Sequence, residues 1–149
     1  MIERFEQFSS VISSLYRTMQ KIERMEMEKY GLKGIHGECL LAMLRFPEGI
    51  TAARLSECCE KDKAAVSRTV ADLEDAQMVV RQDPGGIRYR SRLLLTPKGL
   101  EAAQAVRRTA LTAVERTGQG LSDEKRRIFY EVTELLAKNM RAIAREGLE

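Results

Sequence analysis

From Phe5 the apolar positions fall at Phe5, Phe8, Ile12, Leu15, Met19 and Ile22, in steps of three and four, with Glu, Arg, Gln and Lys between them. That spacing predicts a long amphipathic helix with a coiled-coil-like seam. The pattern fades near Tyr30-Gly31, where Gly31, Gly34 and Gly37 interrupt it. A short apolar helix from about His36 to Phe46 follows, packing Leu40, Leu41 and Leu44, and Pro47 and Gly49 end it. Thr51 has the chemistry of an N-cap for a helix through Leu55 and Cys58 that stops near Glu60-Lys61. Asp62 caps the next, about Lys63 to Gln77, with Val66, Val70 and Leu73 on one face and Lys63, Ala64, Ser67, Arg68 and Ala71 on the other. Two short helices joined by a tight turn form a helix-turn-helix candidate.

After Met78 the period changes from 3.6 to 2. Val79 to Gln82 is expected as a strand, Asp83-Pro84-Gly85-Gly86 as a turn, and Ile87 to Leu95 as a second strand. Alternation puts Arg88, Arg90 and Arg92 on one face, about 6.6–6.8 Å apart, and Tyr89, Ser91, Leu93 and Leu95 on the other. Thr96-Pro97 is a cap followed by proline at the first helical position, starting a helix past Leu100, Ala103, Val106, Ala110 and Val114. Gly118 and Gly120 stop it. Ser122 caps a last helix, with Asp123 and Glu124 in its positive first turn and Phe129, Val132, Leu136, Met140 and Ile143 along one stripe.

The expected architecture is mainly α with a small β-hairpin wing: a winged helix-turn-helix with long N- and C-terminal helices. The chain of 149 residues is expected to be one domain, with a winged lobe over 35–99 and dimerisation helices over 1–34 and 100–149. The terminal stripes are longer than the central unit can cover, so self-association is the economical way to bury them.

Composition removes several classes of function. With 44% apolar and 32% charged residues, and no apolar run approaching eighteen residues, the chain suits a globular protein without a membrane span. The N-terminus does not have the form of a signal peptide, and a cytoplasmic location is expected. Three cysteines, two of them adjacent, make no secreted disulfide framework, so reduced thiols are the default. One histidine leaves little material for general-base catalysis or a multi-histidine metal site. No nucleophile with a base, carboxylate constellation or phosphate loop is visible, so neither an enzyme nor a cofactor is expected. The net charge is only +3, yet residues 81–98 hold Arg81, Arg88, Arg90, Arg92 and Lys98 against Asp83 alone. A patch facing a polyanion is the natural expectation.

Three segments together resemble the MarR family of bacterial winged-helix regulators: Ile50-Thr51-Ala52-Ala53-Arg54-Leu55-Ser56, Asp62-Lys63-Ala64-Ala65-Val66-Ser67-Arg68-Thr69-Val70-Ala71-Asp72-Leu73-Glu74, and Leu95-Thr96-Pro97-Lys98-Gly99. They are similar to the family's "L-T-x-x-E-L-A" helix, its recognition helix "D-x-x-x-V-S-R-x-v-x-x-L" and the "L-T-x-x-G" that closes the wing. The resemblance implies a homodimer whose terminal helices interlock and whose two lobes read a pseudo-palindromic operator on double-stranded DNA, most often as a repressor. Ala64, Ser67 and Arg68 would face base edges, while Lys63, Thr69 and the wing arginines Arg88, Arg90 and Arg92 would serve mainly phosphates. The wing departs from the family's Asp-x-Arg-Arg, because Asp83 is followed by Pro84-Gly85-Gly86-Ile87 before Arg88. Arg88 and Arg90 are thus both candidates for the minor groove.

Each of these features also has a plainer reading. Ser67 and Arg68 could simply form a solvated face, and the arginine row could protect a strand edge from aggregation. Cys58 and Cys59 are redox candidates on the helix that braces the recognition helix, although neighbours on a helix do not face each other. His36 and Cys39 with one of those thiols do not match a zinc motif, and no metal is expected. Many relatives bind small aromatic effectors between the dimer helices and the reading lobe, where Tyr16, Met19, His36, Cys39 and Met43 are expected to lie. The competing function class is a winged-helix protein-interaction module that docks an acidic partner through its basic wing.

Overall fold

The seam beginning near Phe5 becomes one helix, α1 (Ile2–Glu28). The chain reverses at Gly31, whose φ of +71° favours glycine, and enters α2 (Gly34–Met43). The computed structural model describes residues 2–82 and 91–147. α3 (Ala52–Cys59) starts where Thr51 accepts the Arg54 N–H at 3.2 Å, and α4 (Lys63–Asp75) where the Asp62 carboxylate accepts the Ala65 N–H at 2.9 Å. Both caps satisfy backbone donors that the first helical turn leaves unpaired. The turn between the two helices passes through Glu60, at φ +51°, and is tied by the Ser56 hydroxyl donating to the Lys61 carbonyl at 2.6 Å.

β1 (Val79–Gln82) pairs antiparallel with β2 (Arg92–Leu95), in register from Val79 against Leu95 to Gln82 against Arg92. The sequence-predicted second strand began at Ile87, and its first four residues lie outside the described residues. One pairing was not legible in the pattern. Ile50 exchanges both backbone hydrogen bonds with Leu93, at 3.1 and 2.8 Å, extending the small sheet by a single bridge.

α2 is apolar around its circumference because it packs against α1, α3, α4 and β2. The core built on it contains Met27, Leu40, Leu55, Val66, Val70, Leu73, Leu93 and Val106. Glu26 is a buried carboxylate that accepts from Lys29 Nζ at 2.7 Å and Thr109 Oγ1 at 3.0 Å, joining α1 to α5 (Pro97–Thr117). Those contacts, led by the Lys29 hydrogen bond, hold its acid below the usual carboxylate range.

The start of α5 is fixed by one hydroxyl. Thr96 Oγ1 donates to the Gln77 carbonyl at 2.7 Å and accepts the Gly99 N–H at 3.0 Å. Gly99 stands so close to β1's entry that an added Cβ would come within 1.9 Å of the Met78 carbonyl oxygen.

The chain divides into two compact units, Met1–Thr112 and Ala113–Glu149, with the division inside α5. In the second unit the turn after α5 uses Gly120 at φ +83°, and Ser122 caps α6 (Asp123–Glu146) by accepting the Lys125 N–H at 3.3 Å. Arg126 reaches back to donate to the Gly118 carbonyl at 2.6 Å. No residue of α6 is buried, and Phe129, Val132, Leu136, Met140 and Ile143 are all exposed. Among the described residues no helix is long and apolar enough to cross a membrane.

Candidate nucleic-acid interface

α4 divides cleanly into two faces. Val66, Thr69, Val70 and Leu73 are buried, while Lys63, Ala64, Ser67, Arg68 and Ala71 are exposed. Apart from Lys63, the exposed set occupies i, i+3, i+4 and i+7 from Ala64, one continuous stripe of small side chains with a single guanidinium in its middle. The small residues let the helix backbone come near a surface, and Arg68 presents a planar fork of donors there.

Thr69 departs from the expectation that it serves a phosphate. It is 3% exposed, and its hydroxyl donates to the Ala65 carbonyl at 2.9 Å. The threonine lies on the core side of α4 because position 69 falls with 66, 70 and 73, a phase that its polar character hid.

The basic cluster over 81–98 is partly committed to the fold. Arg81 forks onto Glu74, with Nε and Nη2 at 3.2 and 3.1 Å from the two carboxylate oxygens, and donates from Nη1 to Ser91 Oγ at 3.1 Å. Lys98 donates to the Ala76 carbonyl at 2.8 Å, closing the C-terminal end of α4. These two charges anchor the wing's base and α5 to α4. Arg92 is exposed and donates to the Glu48 carbonyl at 3.1 Å. Arg88 and Arg90 lie outside the described residues.

The five residues expected around an effector divide between the core and the exposed surface of α1. His36, Cys39 and Met43 are closed into the core of the lobe, while Tyr16 and Met19 are exposed on α1. His36 is a strut: its Nδ1 accepts the Lys33 N–H at 3.0 Å, and its Nε2 lies 3.0 Å from the Asp72 carboxylate, linking the start of α2 to α4. Both ring nitrogens are thereby used, which also removes the histidine from any zinc set with Cys39. A cavity of about 330 Å³ does open beside α2, lined by Glu23, Glu38, Leu41, Ala42, Arg45, Cys58 and Cys59. None of the five expected residues lines it. Glu23 and Glu38 face this space, and burial first, then the neighbouring Glu38 charge, raise the Glu23 acid.

One pair of thiols meets across two helices. Cys58 and Cys59 are both half-buried at the end of α3, and the Cys59 sulfur lies 3.9 Å from that of Cys39 on α2. Adjacent helical residues diverge by about 100° around the axis, whereas two packed helices can bring distant thiols together. No sequence spacing could have disclosed that pair.

A model of the MarR family matches residues 30–88, a span that begins just after α1 and includes α2, α3, α4 and β1. Among solved structures, a MarR transcriptional regulator from Methanosarcina mazei is 28% identical, with a TM-score of 0.81 over 93% of this chain and 99% of that one. A further MarR family transcription regulator is 19% identical, with a TM-score of 0.80 over 99% of both chains. A MarR family regulator from Listeria monocytogenes, solved in complex with a 26-mer DNA, is 16% identical, with a TM-score of 0.78 over 94% of this chain and 95% of that one. No curated protein matches the chain. The fold is shared along almost the whole length with solved MarR family regulators, and the family match spans α2 to α4, so the chain is similar to the MarR family of winged helix-turn-helix proteins.

Proposed function

We propose that the protein is a sequence-specific regulator of transcription that binds double-stranded DNA as a homodimer, most simply as a repressor on a pseudo-palindromic operator. The observation that carries this reading is the exposed stripe of Ala64, Ser67, Arg68 and Ala71 on a doubly anchored helix, with Lys63 at its positive N-terminal end. A helix with that face fits a major groove, where Arg68 can bond a guanine bidentately and Lys63 can meet phosphate. Arg92, with Arg88 and Arg90 in the wing, supplies further phosphate or minor-groove contacts. The Listeria relative's complex with DNA supports the same use of the fold.

The dimer rests on exposed apolar surface. α6 carries an unburied stripe, and α1 exposes Val11, Ile12, Leu15 and Met19. Such faces call for a partner, and a second copy of the chain supplies a self-complementary one. In this arrangement residues 35–99 read DNA, and residues 1–34 and 100–149 hold the copies together. A small aromatic effector would find room in the cavity beside Arg45 and Leu41.

Selection of duplexes from a random pool tests the reading. Enrichment is expected for an inverted repeat whose half-site centres lie about 10–10.5 base pairs apart, the spacing at which two symmetric lobes meet successive major grooves. Equal, salt-sensitive binding to every duplex, with no enriched sequence, would overturn it in favour of a basic surface that docks an acidic protein.

A further inference from the structure

We propose that Cys39 and Cys59 form a peroxide-reactive dithiol, in which Cys59 takes the oxidant and Cys39 closes a disulfide between α2 and α3. The sulfurs already lie 3.9 Å apart. Their surroundings divide the labour. Cys39 is fully buried in the core, whereas Cys59 is half-buried and lines the 330 Å³ cavity together with Arg45 and Glu38. A small hydroperoxide can therefore reach Cys59 and cannot reach Cys39 directly.

The electrostatics favour the same order. The contact with Cys39, aided by Arg45 and Lys61 against burial and Glu38, holds the Cys59 thiol below its usual range. The reciprocal contact and burial push Cys39 up. Of the two thiols Cys59 is the more readily ionised, and the thiolate is the nucleophilic form.

The chemistry balances with a hydroperoxide as the only oxidant. The Cys59 thiolate attacks one peroxide oxygen; the S–O bond forms, the O–O bond breaks, and the leaving alkoxide or hydroxide takes a proton. The Cys39 sulfur then attacks the Cys59 sulfenic acid; the S–S bond forms, the S–O bond breaks, and water leaves with the Cys39 proton. Two thiols lose two electrons in total, and the peroxide gains them. Cys58 also lines the cavity, but the thiol in contact with Cys39 is that of Cys59, so Cys58 is not the partner in the bond.

A disulfide needs the sulfurs at about 2.05 Å, so its formation draws the last turn of α3 onto α2. That turn leads directly into the reading helix: Glu60 is left-handed, Lys61 is bound by Ser56, and Asp62 caps α4. Oxidation thus re-aims the α4 stripe, a consequence that rests on the DNA-binding reading above, whereas the bond itself does not.

The test treats the full chain with a few equivalents of hydrogen peroxide, blocks remaining thiols with an alkylating agent, and maps the peptides by mass. Wild type and Cys58→Ser are expected to give one intramolecular bond joining Cys39 to Cys59, and Cys59→Ser to give none. Three thiols still free in wild type, or a bond that includes Cys58 or joins two chains, would overturn the proposal. On a duplex bound by the reduced protein, the oxidised protein is expected to bind at least about tenfold more weakly and to recover on reduction. Unchanged affinity with the bond fully formed would overturn the coupling to α4, while failure of the reduced protein to prefer any duplex would instead count against the DNA-binding reading.

Discussion

Replacing Gly99 with alanine is expected to lower the melting temperature by at least roughly 6–12 °C, the equivalent of about 3 kcal/mol in a chain of this size. The new Cβ would meet the Met78 carbonyl oxygen at 1.9 Å and its carbon at 2.8 Å, both backbone atoms. They cannot step aside, because the Met78 carbonyl accepts the Thr96 N–H at 3.0 Å and the Met78 N–H donates to Leu73 at 2.9 Å. Relief would require α5 to lift from the junction of α4 and β1, breaking the Thr96 cap and the Lys98 contact as well. Gly34→Ala is the matched control. Its Cβ would have only ordinary contacts, at 3.6 Å and beyond, so stability should be unchanged or rise by up to about 1 kcal/mol through the lower entropy of the unfolded chain. Thermal unfolding followed by circular dichroism measures both, and equal melting temperatures for the two variants would mean that the approach of Gly99 to Met78 is not a constraint.

Introducing glutamates at Phe129 and Leu136 together is expected to convert a dimer into a monomer. Both side chains are exposed on α6 in the single chain, at 49% and 38%, so the substitutions remove no core packing within it. In a two-fold interface each position occurs twice, and burial of a large apolar side chain is worth about 1.5–3 kcal/mol. Four lost groups therefore forfeit roughly 6–12 kcal/mol, before counting the carboxylates that would have to leave water. A rise of at least about ten-thousandfold in the dimer dissociation constant follows, readable by analytical ultracentrifugation at micromolar protein. A wild type that sediments at the mass of one chain, or a double variant that still sediments at twice that mass, would remove α6 from the interface.

The elements that local chemistry dictates were legible in the sequence. Thr51, Asp62 and Ser122 each cap the helix their side chains foretold, and Gly31 and Gly120 turn the chain where the apolar period breaks. The two faces of α4 followed from helical spacing, except at Thr69, where a hydroxyl bonding to its own helix lets a polar residue join the core. What could not be read depended on pairs distant along the chain. His36 meets Asp72, Cys39 meets Cys59, and Ile50 meets Leu93 only because α2 is placed at the centre of the lobe. The basic cluster shows the same limit: a count of charges cannot reveal that Arg81 is spent on Glu74 and Lys98 on the end of α4. The closing Leu95-Thr96-Pro97-Lys98-Gly99 segment did carry a usable signal, since a glycine three residues after a capping threonine marks a close approach that only glycine permits.

The most direct test of the account is the affinity of Arg68→Ala for the selected duplex, measured by fluorescence anisotropy at fixed salt beside wild type and a scrambled duplex. Loss of a bidentate contact to a base predicts binding about 5- to 150-fold weaker on the selected duplex, with preference relaxed at one position of each half-site and little change on the scrambled one. An Arg68→Ala protein that binds both duplexes as wild type does would contradict the claim that this face of α4 reads DNA.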